Sequence, residues 1–274
     1  MSRPIIAIAQ EFNYDMSKII AAQNKRDKTS YNGVFYLFDK DSMQDLVRRL
    51  KDGDEIIIHG EGQPFVLGIE EPSPYDLTAY RLAQLLSENN LPDMRIDITL
   101  LSCNSGSTWL NTEARVNFNF ARDLSKALHV VHDYTQLSVT GYKGLVVVKG
   151  KSGKFSVCGP EEQEERAADK ITPRDRRKPH ANIPHASLDE TKVVYENGQL
   201  MNQGPMGFDI SRMAFGWAGG YIKKAHEGNL MVQAMEQRQL RREVEQARQA
   251  AASASSAAEH LSDSEDSVKG PKGI

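Results

Sequence analysis

Short apolar runs, each shut off by a glycine or polar turn and separated by stretches of helical spacing, constrain this chain more than any other feature. Residues 4–9 (PIIAIA), 34–38 (VFYLF), 55–58 (EIII) and 96–101 (IDITLL) are such runs. Between them Met43, Leu46, Val47 and Leu50 recur at helical spacing behind the cap signal Asp41-Ser42. Leu77, Tyr80, Leu82, Leu85 and Leu86 do the same behind Asp76, and Phe118, Ala121, Leu124 and Leu128 mark a further helix. Residues 139–148 are strand-like, and 150–153 turn that strand into 154–158. Strands that are apolar throughout and alternate with helices predict an α/β fold with a mostly parallel sheet flanked by helices. In such sheets the working residues collect where strands end and loops begin.

Beyond Cys158 the pattern changes. Residues 159–190 alternate acidic and basic clusters broken by Pro173, Pro179 and Pro184, which predicts a charged linker or surface loop. Residues 191–229 hold a β-branched run before an Asn197-Gly198 turn and then a Gly/aromatic stretch, the expected hairpin and packing segment. Residues 230–252 have good helix composition, with a thin apolar seam of Met231, Met235 and Val244 that leaves a partner-binding role open. The Ser/Ala/Asp/Glu/Gly-rich stretch 253–274 is expected to be disordered. The expected organisation is therefore a catalytic α/β domain over 1–158, the linker, the hairpin segment, and a helix with a tail over 230–274.

Composition removes several function classes. With a net charge of -3, no global basic field favours nucleic acid. No apolar run reaches the roughly 20 residues needed to span a bilayer. Residues 1–10 lack the basic, apolar, small-residue order of a cleavable export signal, so a cytoplasmic location is expected. Two cysteines in 274 residues make no disulfide framework, which keeps a thiol available for chemistry. His129, His132, His180, His185, His226 and His260 have only Cys158 as a further soft ligand, so no metal site is expected.

Two of the apolar runs end in reactive groups. Residues 56–60 read Ile-Ile-Ile-His-Gly, and 99–103 read Thr-Leu-Leu-Ser-Cys. A cysteine nucleophile needs a base with a pKa near neutrality and a donor for the developing oxyanion. His59 can be that base. Gly60 lets its own N–H approach a substrate carbonyl unobstructed. Neighbouring parallel strands lie about 5 Å apart, and the 44 positions from 59 to 103 suit a loop, a crossover helix and a return strand.

This ordered pair resembles the two motifs of clan CD cysteine peptidases, which have the caspase-like three-layer fold. There is a particular likeness to the self-processing cysteine peptidase domains of large bacterial toxins. The likeness spans residues 33–150 and includes the His-Gly-x-Gly continuation (Gly60, Gly62) and a Phe-Ala helix (Phe120-Ala121) after the cysteine turn. It implies a protein substrate cut by Cys103 with His59, and amides of Gly60 and Cys103 at the oxyanion. It also implies a substrate-pairing strand over Val139, Thr140, Gly141 and Tyr142. A bacterial effector delivered into a host cytosol is the implied setting. No cofactor is required, but the toxin-type domains are activated by inositol hexakisphosphate on a basic β-flap. Residues 141–158 are the candidate flap, with Lys143, Lys149, Lys151 and Lys154; five or six phosphates call for a denser cationic pocket than four lysines supply. Asp39 and Asp41 are the candidates for orienting His59.

Each half-motif has an ordinary reading too. A cysteine after a strand is usually a small buried hydrophobe, Trp109 can simply pack, and Glu61 can be a solvated carboxylate. A Cys-dependent deamidase or acyltransferase on the same pair, and a non-catalytic caspase-like interaction module, remain open.

Overall fold

The structure is a computed structural model that describes residues 5–8, 33–68, 76–112, 115–149, 154–159, 185–208, 210 and 219–265. Its centre is a sheet built from the apolar runs. Strands β1 (Ile5–Ile8), β2 (Val34–Tyr36) and β3 (Asp54–His59) come first. β4 (Gly62–Gln63) and β5 (Val66–Leu67) form a small hairpin after β3, and β6 (Ile96–Leu101) returns to the sheet. β7 (Trp109–Asn111) and β8 (Val116–Phe118) form a second small hairpin, followed by β9 (Leu137–Tyr142). β10 (Leu145–Lys149) pairs with β11 (Lys154–Cys158), and β12 (Lys192–Glu196) with β13 (Gln199–Gln203).

The main sheet has seven strands in the order β13-β12-β9-β6-β3-β1-β2. Every pair from β2 through β9 is parallel, whereas β12 and β13 run antiparallel. The expected mostly parallel α/β architecture is present. Ile56, Ile58, Ile98, Leu100 and Val139 are all fully buried on one face, as strands covered on both sides require.

Helices α1 (Lys40–Arg49), α2 (Ala79–Glu88) and α3 (Phe120–His132) flank the sheet. Met43 and Leu46 carry the buried stripe of α1, and Leu82, Ala83 and Leu86 that of α2. The caps differ from the sequence reading. Asp39, not Asp41 or Ser42, caps α1, and Thr78 rather than Asp76 caps α2. Asp76 instead accepts a short hydrogen bond from the Tyr221 hydroxyl.

Three expectations about the chain's second half need correction. The run 139–148 is not one strand: it divides at Lys143-Gly144, where Gly144 takes φ 144° and β10 leaves the sheet. The sheet also does not end at Cys158. β12 pairs along the open side of β9, from Lys192↔Tyr142 to Glu196↔Ser138, burying Val193 and Tyr195. The hairpin therefore continues the main sheet, closed by Asn197 and Gly198 at φ 52° and 76°. Finally, helix α5 runs over Gly219–Glu265, well past 252. From Asn229 to Lys269 the sequence has no glycine or proline to stop it.

Residues 1–232 form one compact unit and 233–274 another. In the first, Tyr221 and Ala225 of α5 pack with Phe65, Phe118 and Ile210. Most of the predicted linker, residues 160–184, lies outside the described residues, as does 266–274 of the predicted tail. A short helix α4 (Leu188–Thr191), closed by a Ser187–Glu190 capping box, leads into β12. No described helix is long and apolar enough to cross a membrane.

Candidate active site

His59 is the last residue of β3, and β3 lies directly beside β6 in parallel. Their register puts His59 opposite Leu101, two residues before Cys103. In-register partners point to the same face, so His59, Leu101 and Ile57 share one side of the sheet. Leu101 and Ile57 there meet Tyr142, Val146, Phe155 and Val157. The β10–β11 hairpin thus covers this face.

Each arm of that hairpin touches one member of the pair. On β10, the Val146 carbonyl oxygen accepts from the Cys103 thiol at 3.6 Å. On β11, the Phe155 ring lies 6.0 Å from the His59 ring, centroid to centroid. His59 is 2% exposed, and its Nε2 is buried with no hydrogen-bond partner. Burial lowers this imidazole to about 4. Cys103 keeps partial exposure as a residue, yet its sulfur is enclosed. Burial first, and the Glu61 carboxylate second, push the thiol up to about 12. Both groups are neutral at pH 7, and only a protonated thiol can donate to Val146. The geometry is that of a covered pair.

The two motif loops meet directly. A Cβ placed on Gly62 would lie 1.8 Å from Ser102 Oγ and 2.9 Å from the Cys103 carbonyl oxygen. Only glycine allows the loop after His59 to lie this close to the cysteine turn. Ser102 is itself buried and its hydroxyl has no hydrogen-bond partner. An aromatic trio clamps the same two loops farther out. Phe65, between β4 and β5, lies 5.5 Å from Trp109 on β7 and 6.0 Å from Phe118 on β8. Trp109 packs at the joint between the loops.

The cysteine turn is built from buried polar side chains. Ser105 Oγ donates to the carbonyls of Leu100 and Ser102 and accepts from the Tyr142 amide. Asn119, the α3 cap, donates to the Gly106 carbonyl at 3.0 Å. Asn104, at φ 55°, donates its amide to the Gly144 carbonyl at 2.7 Å. Ser102, Ser105, Asn119 and the hairpin residues Val146 and Phe155 escaped the sequence reading, because nothing local marks a contact made across the sheet. Gly60, half-buried, follows His59 directly.

Val139, Thr140, Gly141 and Tyr142 do not offer a free edge to substrate. On one side they pair with β12; on the other, Thr140 pairs with β6, Tyr142 bonds to Ser105 and Gly106, and Val139 is fully buried. The substrate-pairing expectation is overturned because β12 already occupies that edge. The Asp39 carboxylate is engaged at the start of α1, where it accepts from the Asp41 and Ser42 amides. Asp41 is exposed in the first turn of that helix.

Of the candidate flap lysines, the side chain of Lys143 is described, and it donates to the Gly204 carbonyl at 2.9 Å. Lys149, Lys151 and Lys154 have side chains outside the described residues. Cys158 is buried and donates to the Leu145 carbonyl, a structural role. Among the described residues no group of three or more His, Cys, Asp or Glu could hold a metal ion. No protein-family model matches the sequence, and no curated protein matches it either.

Proposed function

We propose that the chain is a cysteine hydrolase of the clan CD, caspase-like kind that cleaves a protein substrate. The observation carrying this reading is that His59 ends β3, Cys103 lies two residues past the end of the adjacent parallel strand β6, one hairpin touches both, and Gly62 of the histidine loop is seated against the cysteine turn. With the β10–β11 hairpin displaced, Cys103 would lose its proton to His59 and attack the scissile carbonyl, forming a C–S bond. The amides of Gly60 and Cys103 would hold the oxyanion. Protonated His59 would then deliver its proton to the leaving amine as the C–N bond breaks, and water would release the thioester as a free acid.

A second reading has an observation of its own. A neutral thiol bonded to Val146 beside a neutral imidazole also suits a non-catalytic module. A thiol-directed activity probe separates the two. Labelling of the wild type that disappears in Cys103→Ala and persists in Cys158→Ala supports the hydrolase, and labelling that Cys103→Ala leaves intact refutes it. By analogy with toxin-type domains, a host-cytosol protein is the proposed substrate. New amino termini in treated host lysate would support peptide cleavage, whereas side-chain deamidation at unchanged chain length would redirect the chemistry.

A further inference from the structure

Among the described residues, helix α5 is the only regular element of the second compact unit, 233–274. From Leu240 to Ala251 every side chain in it is exposed, Leu240 by 60% and Val244 by 45%. Long helices draw most of their stability from packing an apolar face rather than from propensity. The apolar residues here are not scattered. Leu240, Val244, Ala247 and Ala251 follow at intervals of four, three and four, and the sequence continues to Ala254, Ala258 and Leu261 at three, four and three. Outside that seam, residues 240–261 hold only Ala250, Ala252 and Ala257 as further apolar residues. This is the heptad repeat of a left-handed coiled coil, with Val244 at an a position and Leu240 and Leu261 at d. It is longer than the seam Val244 forms with Met231 and Met235. A β-branched residue at a with leucine at d favours two parallel strands, and the alanines between them let two backbones come close.

Charge complementarity names the occupant of that seam. Glu243 falls at heptad position g, and Arg241 and Arg248 at e, all three exposed. The positions three and four away from Glu243 are Gln239, Leu240, Gln246 and Ala247, so no cation of its own helix is within reach. Arg248, five residues on, points roughly 140° away around the same helix. In a parallel pair, position g of one helix faces the e position five residues on in the other. Glu243 then meets Arg248 of a second copy, twice by symmetry. An antiparallel pair sets e flank against e flank and brings arginines to arginines. We infer that residues 240–261 of α5 pair in parallel with the same residues of a second copy of this chain. The seam supplies the apolar contact, and Glu243 with Arg248 sets its direction. The pairing uses nothing of the dyad, so it stands apart from the hydrolase reading.

The test uses the full chain in sedimentation velocity from about 1 to 200 µM. A mass that climbs toward twice the monomer's with concentration is expected, and a monomer throughout overturns the inference. Val244→Lys should abolish the association; a dimer that tolerates it is built on another surface and overturns the inference too. Glu243→Arg should raise the dissociation constant about tenfold, because two attractions become two repulsions. Adding Arg248→Glu to that variant should restore the wild-type value. A charge swap that restores nothing refutes the pairing of 243 with 248. Direction is read from Ala247→Cys under mild oxidation. At a d position it should link to its own counterpart in a parallel pair, whereas Gln246→Cys, on the outward side, and the wild-type chain should not. A dimer that Ala247→Cys fails to link is not parallel and in register, and the inference falls.

Discussion

Replacing Gly62 by alanine should expose the contact between the two motif loops as a measurable coupling energy. The new Cβ would lie 1.8 Å from Ser102 Oγ, 3.1 Å from Ser102 Cβ and 2.9 Å from the Cys103 carbonyl oxygen. Neither loop can yield freely. The histidine loop is held by Phe65 against Trp109, and the cysteine turn by Ser105 and Asn119. Overpacking typically costs about 1–3 kcal/mol, and such pinned neighbours put Gly62→Ala near 3. Ser102→Ala alone removes a buried hydroxyl that has no partner, so it should be neutral or stabilising by about 1 kcal/mol. In the double variant the 1.8 Å clash disappears, whereas the 2.9 Å approach to the Cys103 carbonyl oxygen and the 3.1 Å approach to the residue 102 Cβ remain. Roughly 2 kcal/mol should be recovered, well beyond the ~0.5 kcal/mol scatter of independent sites. Urea denaturation of the four proteins, compared at constant slope, measures the cycle. Strict additivity would mean the loops do not touch, and the argument for a joined site would fall with it.

Two further outcomes test the covered state. Phe155→Ala removes the ring beside His59 and loosens the hairpin over Cys103. Alkylation of Cys103 by iodoacetamide should quicken several-fold, with about 2 kcal/mol of stability lost for a half-buried ring; Phe155→Leu should behave as wild type, and an unchanged alkylation rate would refute the lid. For pH, the folded His59 value of about 4 lies below its ordinary 6.5, so the unfolded chain takes up the proton first. This contribution is complete above pH 6.5 and fades as pH falls toward 4, amounting to about 3 kcal/mol in full. The wild type should lose that much more than His59→Gln across the window, and parallel melting curves would show the ring to be solvated.

The central strands were readable because their information is local. β3 and β6 are continuous apolar runs ended by His-Gly and Ser-Cys, and parallel neighbours need little else to align. The Asn197-Gly198 turn was equally legible, since both residues take the positive φ that such a turn demands. What escaped depends on distant partners. Nothing within residues 139–142 says that a strand 50 positions later (142 to 192) will pair beside them. Nothing in residues 145–158 says that the hairpin will lie over the sulfur. The choice of Asp39 over Asp41 as a cap turns on two residues of register at a helix start, a distinction that composition alone does not settle.

The carbonyls of Gly144 and Val146, two positions apart on the first arm of the hairpin, divide the labour at the cysteine. One fixes the amide of Asn104 and the other restrains the sulfur. At its far end the second arm is fastened through paired backbone hydrogen bonds between Val157 and Ala186. The bond that holds the sulfur and the bond that holds the turn carrying it are therefore separate, so losing the first does not require losing the second.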